Sequence, residues 1–369
     1  MIDKALTRRS VLVAGAAGIA GAGIAGLPIR AHADGLTIGM IYVGPKDDFG
    51  WNQSHAVAAA ALKKVPGVRV IEEENVPETD AVAKTMESMI KLDGAKLIFG
   101  TSYGYFDPFM IDMAKRYPDV EFRHPVKLWQ AGKHPANLGS YSCYIDQGHY
   151  VNGIAAGLST KTNKIGYIIA KPISVMVRAA DSFALGARKV NPNVEVKLIV
   201  TGDFSLPVRE AEATNVIADS GCDVVAFFVD NPKIILATAE SRNLKSCGHN
   251  TSQAALAPKG FITSAELHFE TIYKQFAAML ANGEKLPNIT IGGYDKDYVR
   301  STAFGPGATN EAIAAATVAI DQLKAGAPIF VAPVRDNAGK TIFDKTQGLY
   351  EPVLDSANFL VGGISGSIT

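Results

Sequence analysis

The sequence predicts an α/β protein of two similar lobes, each built on a mostly parallel sheet. Short β-branched runs alternate along the chain with amphipathic stretches of helical length, which is the pattern of successive βα units. The alternation runs once before about Lys161 and again after it, so the pattern itself is doubled. A chain of 369 residues also exceeds what one core usually serves, which favours two domains.

Residues 1–33 read as an export signal of twin-arginine character. Arg8-Arg9 precedes a Gly/Ala-rich apolar run from Val11 to Leu27, and Ala31-His32-Ala33 supplies an A-x-A cleavage site. The run is short and weakly apolar for a membrane span, so the mature chain is expected to begin near Asp34, in the periplasm. Removing four basic residues and one acidic residue from 36 of each leaves 32 and 35, a net charge of −3. That balance excludes the basic footprint of a nucleic-acid or anionic-membrane binder.

In the mature chain the strands are predicted at Leu36 to Val43, Val68 to Glu72, Lys96 to Gly100, Lys164 to Ala170, Val194 to Val200 and Asp223 to Val229. Helices are predicted from Ser54 to Lys64, Thr79 to Leu92, Phe106 to Tyr117, Gln147 to Leu158, Val175 to Val190, Val208 to Ser220 and Lys233 to Arg242. Ser54 is expected to cap the first of these. Lobe 1 is drawn over 34–160 and lobe 2 over 161–286. Residues 287–369 are expected to return to lobe 1, with a helix near Asn310 to Lys324 and then an irregular tail. Cys143, Cys222 and Cys247 show no metal spacing. An odd count leaves at least one thiol free, and a Cys222–Cys247 bridge stays open.

Ligands of open α/β sheets bind outside the carboxyl ends of the strands. The loops there are aromatic and polar: Asp48-Phe49-Gly50-Trp51-Asn52 after the first strand, Thr101-Ser102-Tyr103-Gly104-Tyr105 after the third, then Gly202-Asp203-Phe204 and Asp230-Asn231-Pro232 in the second half. Such groups suit a flat, neutral, nitrogen-rich ligand, with aromatic faces to stack on and polar groups to read its edges. The candidate ligand-binding residues are Trp51, Phe49, Asn52, Tyr103, Arg178, Phe204 and Asp230. No catalytic residue, metal set or cofactor is expected. His55, His149 and His268 read as structural.

Asp48-Phe49-Gly50-Trp51 with His55, the run from Phe99 to Pro108, Gly148-His149-Tyr150, Lys161 to Tyr167, and Phe183 to Pro192 together resemble the basic membrane protein family of ABC-transporter substrate-binding proteins. The resemblance is to its purine-binding periplasmic branch, similar to the purine-nucleoside receptor lipoproteins. It implies a type I periplasmic-binding-protein fold whose two Rossmann-like lobes are joined by a hinge and close on a purine base or nucleoside. The same resemblance implies a monomer that delivers its ligand to a membrane permease. Where nucleoside-binding members carry a stacking Phe, this chain has Val177-Arg178-Ala179-Ala180. Two other readings compete. A periplasmic nucleoside-processing enzyme would want a His-Glu-x-x-His helix or, after the first strand, a carboxylate cluster able to hold calcium, and neither is present. A purine sensor signalling to a membrane partner would share the same cleft.

Overall fold

The computed structural model describes residues 35–368; the export-signal reading of residues 1–33 lies outside them. In chain order the first elements are β1 Leu36–Ile41, α1 Trp51–Leu62, β2 Val68–Glu73, α2 Asp80–Lys91, β3 Leu97–Gly100, α3 Ile111–Arg116, β4 Glu121–Pro125, β5 Leu138–Cys143 and α4 Asp146–Ser159. Next come β6 Lys164–Ile169, α5 Ser174–Val190, β7 Glu195–Val200, α6 Pro207–Asp219, β8 Val224–Phe228, α7 Lys233–Ser241, β9 Lys245–Asn250, β10 Phe261–Leu267 and α8 Phe269–Ala281. The chain ends with β11 Ile289–Gly292, β12 Val299–Ser301, α9 Asn310–Lys324, β13 Val334–Arg335, β14 Thr341–Phe343 and β15 Ile364–Ser365.

Two large sheets result. The first has the order β11-β5-β4-β3-β1-β2 with parallel pairs throughout, and the second has β12-β10-β9-β8-β6-β7-β15, antiparallel at β10–β12. β1, β3 and β8 are buried along their whole length. Parallel strands covered by helices on both faces need such unbroken apolar runs. The fold is therefore the α/β architecture that the sequence predicts.

Lobe membership differs from the expected boundaries. The chain leaves the first sheet after Cys143, and α4 packs on α5 in the second lobe; it returns at His268, so that α8 packs on α1. β11 completes the first sheet, but β12, α9 and β15 all belong to the second lobe, with α9 against α4. The predicted return of residues 287–369 to lobe 1 thus holds for β11 alone. The helix near Asn310 is where it was expected. The three crossing segments are bonded to one another: Tyr144 N–H donates to the Gly292 carbonyl (2.9 Å), Tyr294 N–H to Gln147 Oε1 (3.0 Å) and His268 N–H to the Tyr298 carbonyl (2.9 Å).

Local chemistry sets the helix starts. α1 begins before Ser54, because the Asp48 carboxylate accepts from the N–H groups of Gly50 (2.8 Å), Asn52 (2.9 Å) and Gln53 (2.9 Å). An anion there meets both the orphan amides and the positive end of the helix. Ser54 instead bonds back to the Trp51 carbonyl. α3 starts five residues later than predicted, since Asp107 is extended (φ −119°, ψ 123°) ahead of Pro108, as residues preceding proline tend to be. α4 is buried on nearly all sides, and Gly153 allows α5 to approach it. A Cβ there would lie 2.0 Å from the Phe183 carbonyl oxygen. All three cysteines are buried free thiols, so the bridge left open between Cys222 and Cys247 is absent.

Candidate functional site

The carboxyl ends of the two sheets face each other across a cleft holding about 790 Å³ of empty space, its open mouth included. Trp51, Tyr103, Phe204 and Asp230 all line it, so four of the seven predicted residues meet at one cavity. Trp51 stands at the first position of α1, where the Asp48 cap fixes the backbone. Its indole N–H donates to the Thr101 carbonyl (2.6 Å), and its ring meets His55 and Phe269 edge-on at 4.6 and 6.0 Å between centroids. Tyr103 is half exposed, at a turn held by Glu78, which accepts from Ser102 Oγ (2.5 Å) and the Gly104 N–H (2.7 Å).

From the second lobe, Phe204 lies under the Lys171 ammonium (4.6 Å), and Lys171 is itself paired with Asp203 (2.7 Å). Asp230 N–H donates to the Phe204 carbonyl (2.9 Å), tying the two loops together. Burial pushes the Asp230 carboxyl up to about 8, with Asp48, Glu210, Asp203 and Glu78 adding to the effect. Among the described residues no Lys, Arg or His lines the cavity. It presents carboxylates and aromatic faces, with an apolar wall of Ile173, Val175 and Met176 at the start of α5.

Three predicted residues fall outside this lining. Asn52 is buried, with Nδ2 donating to Asp48 (2.8 Å) and Oδ1 accepting from the Gly44 N–H (3.2 Å). Its amide is spent on the loop that carries Trp51. Phe49 turns away at φ +59°, its N–H donating to Gln53 Oε1 (3.0 Å). Arg178 is buried between Asp146 (3.1 Å) and Asp355 (2.9 Å), with its guanidinium over the Tyr144 ring (4.5 Å). Burial alone would depress its pKa, but Asp146, Tyr144 and Asp355 hold it above the usual arginine value.

Sequence reasoning missed Glu78, Phe228, Phe269 and the Tyr141-Ser142-Cys143 wall. Phe269 stacks on His55 (4.1 Å, 6° between planes), which in turn bonds Tyr273 through Nδ1 (2.6 Å). His149 is likewise structural, bonded to Tyr167 (2.8 Å) and His249 (2.9 Å) and lowered by burial to about 3. His268 is partly buried against Thr271 and the Asp297 carbonyl. Among the described residues no group of three or more His, Cys, Asp or Glu is arranged to hold a metal ion.

Two α/β lobes facing each other across a cleft define the fold of the type I periplasmic binding proteins. The family described as ABC transporter substrate-binding protein PnrA-like matches residues 36–314, and the chain belongs to it. The family is one of solute-binding proteins, typically extracytoplasmic, that bind small molecules and work with a membrane permease. A purine-binding protein of Brucella abortus is 33% identical over 256 residues, covering 69% of this chain and 71% of its own. A Haloferax volcanii relative, provisionally named an ABC transporter glucose-binding protein, is 29% identical and covers 73% of this chain and 68% of its own. Among solved structures, an ABC transporter solute-binding protein of Conexibacter woesei superposes with a TM-score of 0.67 at 20% identity, covering 79% of this chain and 96% of that one, and shares the fold.

Proposed function

We propose that this protein captures a purine, as free base or nucleoside, in the cleft between its lobes and presents it to an ABC importer in the periplasm. The observation that carries the reading is the convergence of Trp51, Tyr103, Phe204 and Asp230 on one cavity. Aromatic rings from both lobes stack on the flat ring of the ligand in this reading, and Asp230 accepts from its N–H edge. The name of the Brucella abortus relative supports the same ligand class. Having no cationic side chain in its lining, the cleft disfavours phosphates and anionic purines. The apolar wall of Ile173, Val175 and Met176 offers ribose hydroxyls no partner, which favours the free base.

A thermal-shift panel on the mature protein is the direct test. Adenine, guanine and hypoxanthine are expected to raise the melting temperature, because a ligand that binds only the native state stabilises it. Nucleosides should do so less, and nucleoside monophosphates and glucose not at all. A shift with glucose alone would replace purine with sugar while leaving the receptor role intact. Trp51→Ala should weaken purine binding about tenfold or more, since stacking contributes on the order of 1–3 kcal/mol per base; an unchanged dissociation constant by calorimetry would remove Trp51 from the site.

A further inference from the structure

Beside the cavity, one short stretch of lobe 1, residues 49–51, bonds the second lobe at several points. The Phe49 carbonyl accepts from Nε2 of Gln253 (2.7 Å), a fully buried side chain of the second lobe. The Phe49 ring lies under the Lys233 ammonium (5.5 Å). Gly50 packs so tightly on the second lobe that a Cβ would sit 1.8 Å from the Asp230 carbonyl oxygen. Trp51 N–H donates to that same oxygen (3.2 Å). Phe49 itself holds a left-handed backbone, φ +59°, which a non-glycine residue adopts at a cost when its surroundings require it.

We infer that Gln253 and the Phe49-Gly50-Trp51 knuckle form a clasp that exists when the lobes are shut and that sets how firmly the protein holds its ligand. The inference rests on the receptor reading, because it requires lobes that part to admit a solute. Gln253 does not line the cavity and acts as a positioning residue. Its Oε1 accepts from the His249 N–H (3.0 Å) and its Nε2 also donates to the His249 carbonyl (2.5 Å), so the amide is oriented by its own lobe before lobe 1 arrives. Opening the cleft would strip it of one partner, the Phe49 carbonyl. The linkage to the ligand is direct: the backbone oxygen of Asp230 bonds the knuckle, while its side chain faces the cavity. A receptor whose binding-competent form is less populated binds more weakly by that fraction, and such changes fall mostly on the dissociation rate.

Gln253→Glu keeps the shape and the acceptor but sets a carboxylate against the Phe49 carbonyl. Gly50→Ala places a methyl where only a parted cleft has room, and leaves Gln253 intact should the first variant fold poorly. Each is to be compared with wild type by small-angle scattering and stopped-flow binding of adenine and hypoxanthine. Gly50→Ala is expected to keep the ligand-free melting temperature, and both variants to release purine roughly three- to tenfold faster and to show a smaller compaction on binding. Wild-type release rates together with full compaction in Gly50→Ala would overturn the clasp. If the wild type binds no purine, the ligand assignment fails and the clasp is decided on ligand-free scattering. A Gly50→Ala protein more extended than wild type then supports it, and identical curves refute it.

Discussion

Asp230→Ala is expected to weaken purine binding by about ten- to a hundredfold at pH 8, with wild-type affinity itself rising as the pH is raised from 6 to 8. The carboxyl stands near 8 in the empty cleft, raised by burial and by Asp48, Glu210, Asp203 and Glu78, so at pH 7 most molecules hold it protonated. Ionising it there costs about 1.4 kcal/mol, one pH unit below its pKa. Each N–H bond to the resulting charge contributes about 1.5–3 kcal/mol. A purine edge offering two such donors outweighs the cost, so the ligand takes the carboxylate and expels the proton. The dissociation constant should then fall towards tenfold per pH unit below 8 and level off above it, with proton release visible as a buffer-dependent heat. The stability sign is opposite. A folded carboxyl titrating above its unfolded value binds a proton that the unfolded chain has lost, so between about pH 4 and 8 the empty protein loses stability as pH rises. Asp230→Asn should abolish both trends. A flat affinity from pH 6 to 8 with full retention in Asp230→Asn would mean that the neutral acid, rather than the carboxylate, reads the ligand.

The four cavity residues were legible because their signal is local. Each sits within a few residues of a β-branched run, in a loop too aromatic and polar to be a mere connection, and parallel topology sends all such loops to one end. Phe49 and Asn52 have the same local look, while Arg178 is read within a helix. What separates them is where their hydrogen-bonding capacity goes, and that is fixed by partners the sequence does not place: Asp48 for Asn52, Gln253 for Phe49, Asp146 and Asp355 for Arg178. Asp355 lies 177 residues from Arg178, in a tail without helical or strand periodicity. The lobe boundaries were lost for a related reason. α4 reads as an ordinary amphipathic helix and α8 is not among the predicted helices, and which sheet each covers depends on three crossings that leave no periodic trace. Phe269 stands at the head of α8, one residue after the strand Phe261–Leu267, the kind of strand-end position that carried the other cavity residues.

Arg178→Met separates the two readings of that arginine by where the damage falls. A ligand contact would cost affinity and leave the melting temperature alone. The structure predicts the reverse: about 3–5 kcal/mol of stability is lost, the usual consequence of removing one member of a buried ion pair, while purine affinity of the folded fraction stays within about threefold. The reason is Asp146, almost fully buried on the first turn of α4. Burial already raises its pKa, and Arg178 is the main influence holding it down. Without the guanidinium, Asp146 must be protonated or remain an uncompensated charge in the interior. Asp355, about one-third exposed and also paired with Lys127 at 3.0 Å, keeps a partner and solvent, so its share of the loss is small. Replacing both buried partners, as Arg178→Met with Asp146→Leu, should therefore recover most of the stability that the single change removes, because the penalty belongs to the orphaned charge more than to the lost attraction. Chemical denaturation of the two single variants and the double variant measures that coupling. Additive losses would show that Arg178 acts through packing on Tyr144 and the tail instead.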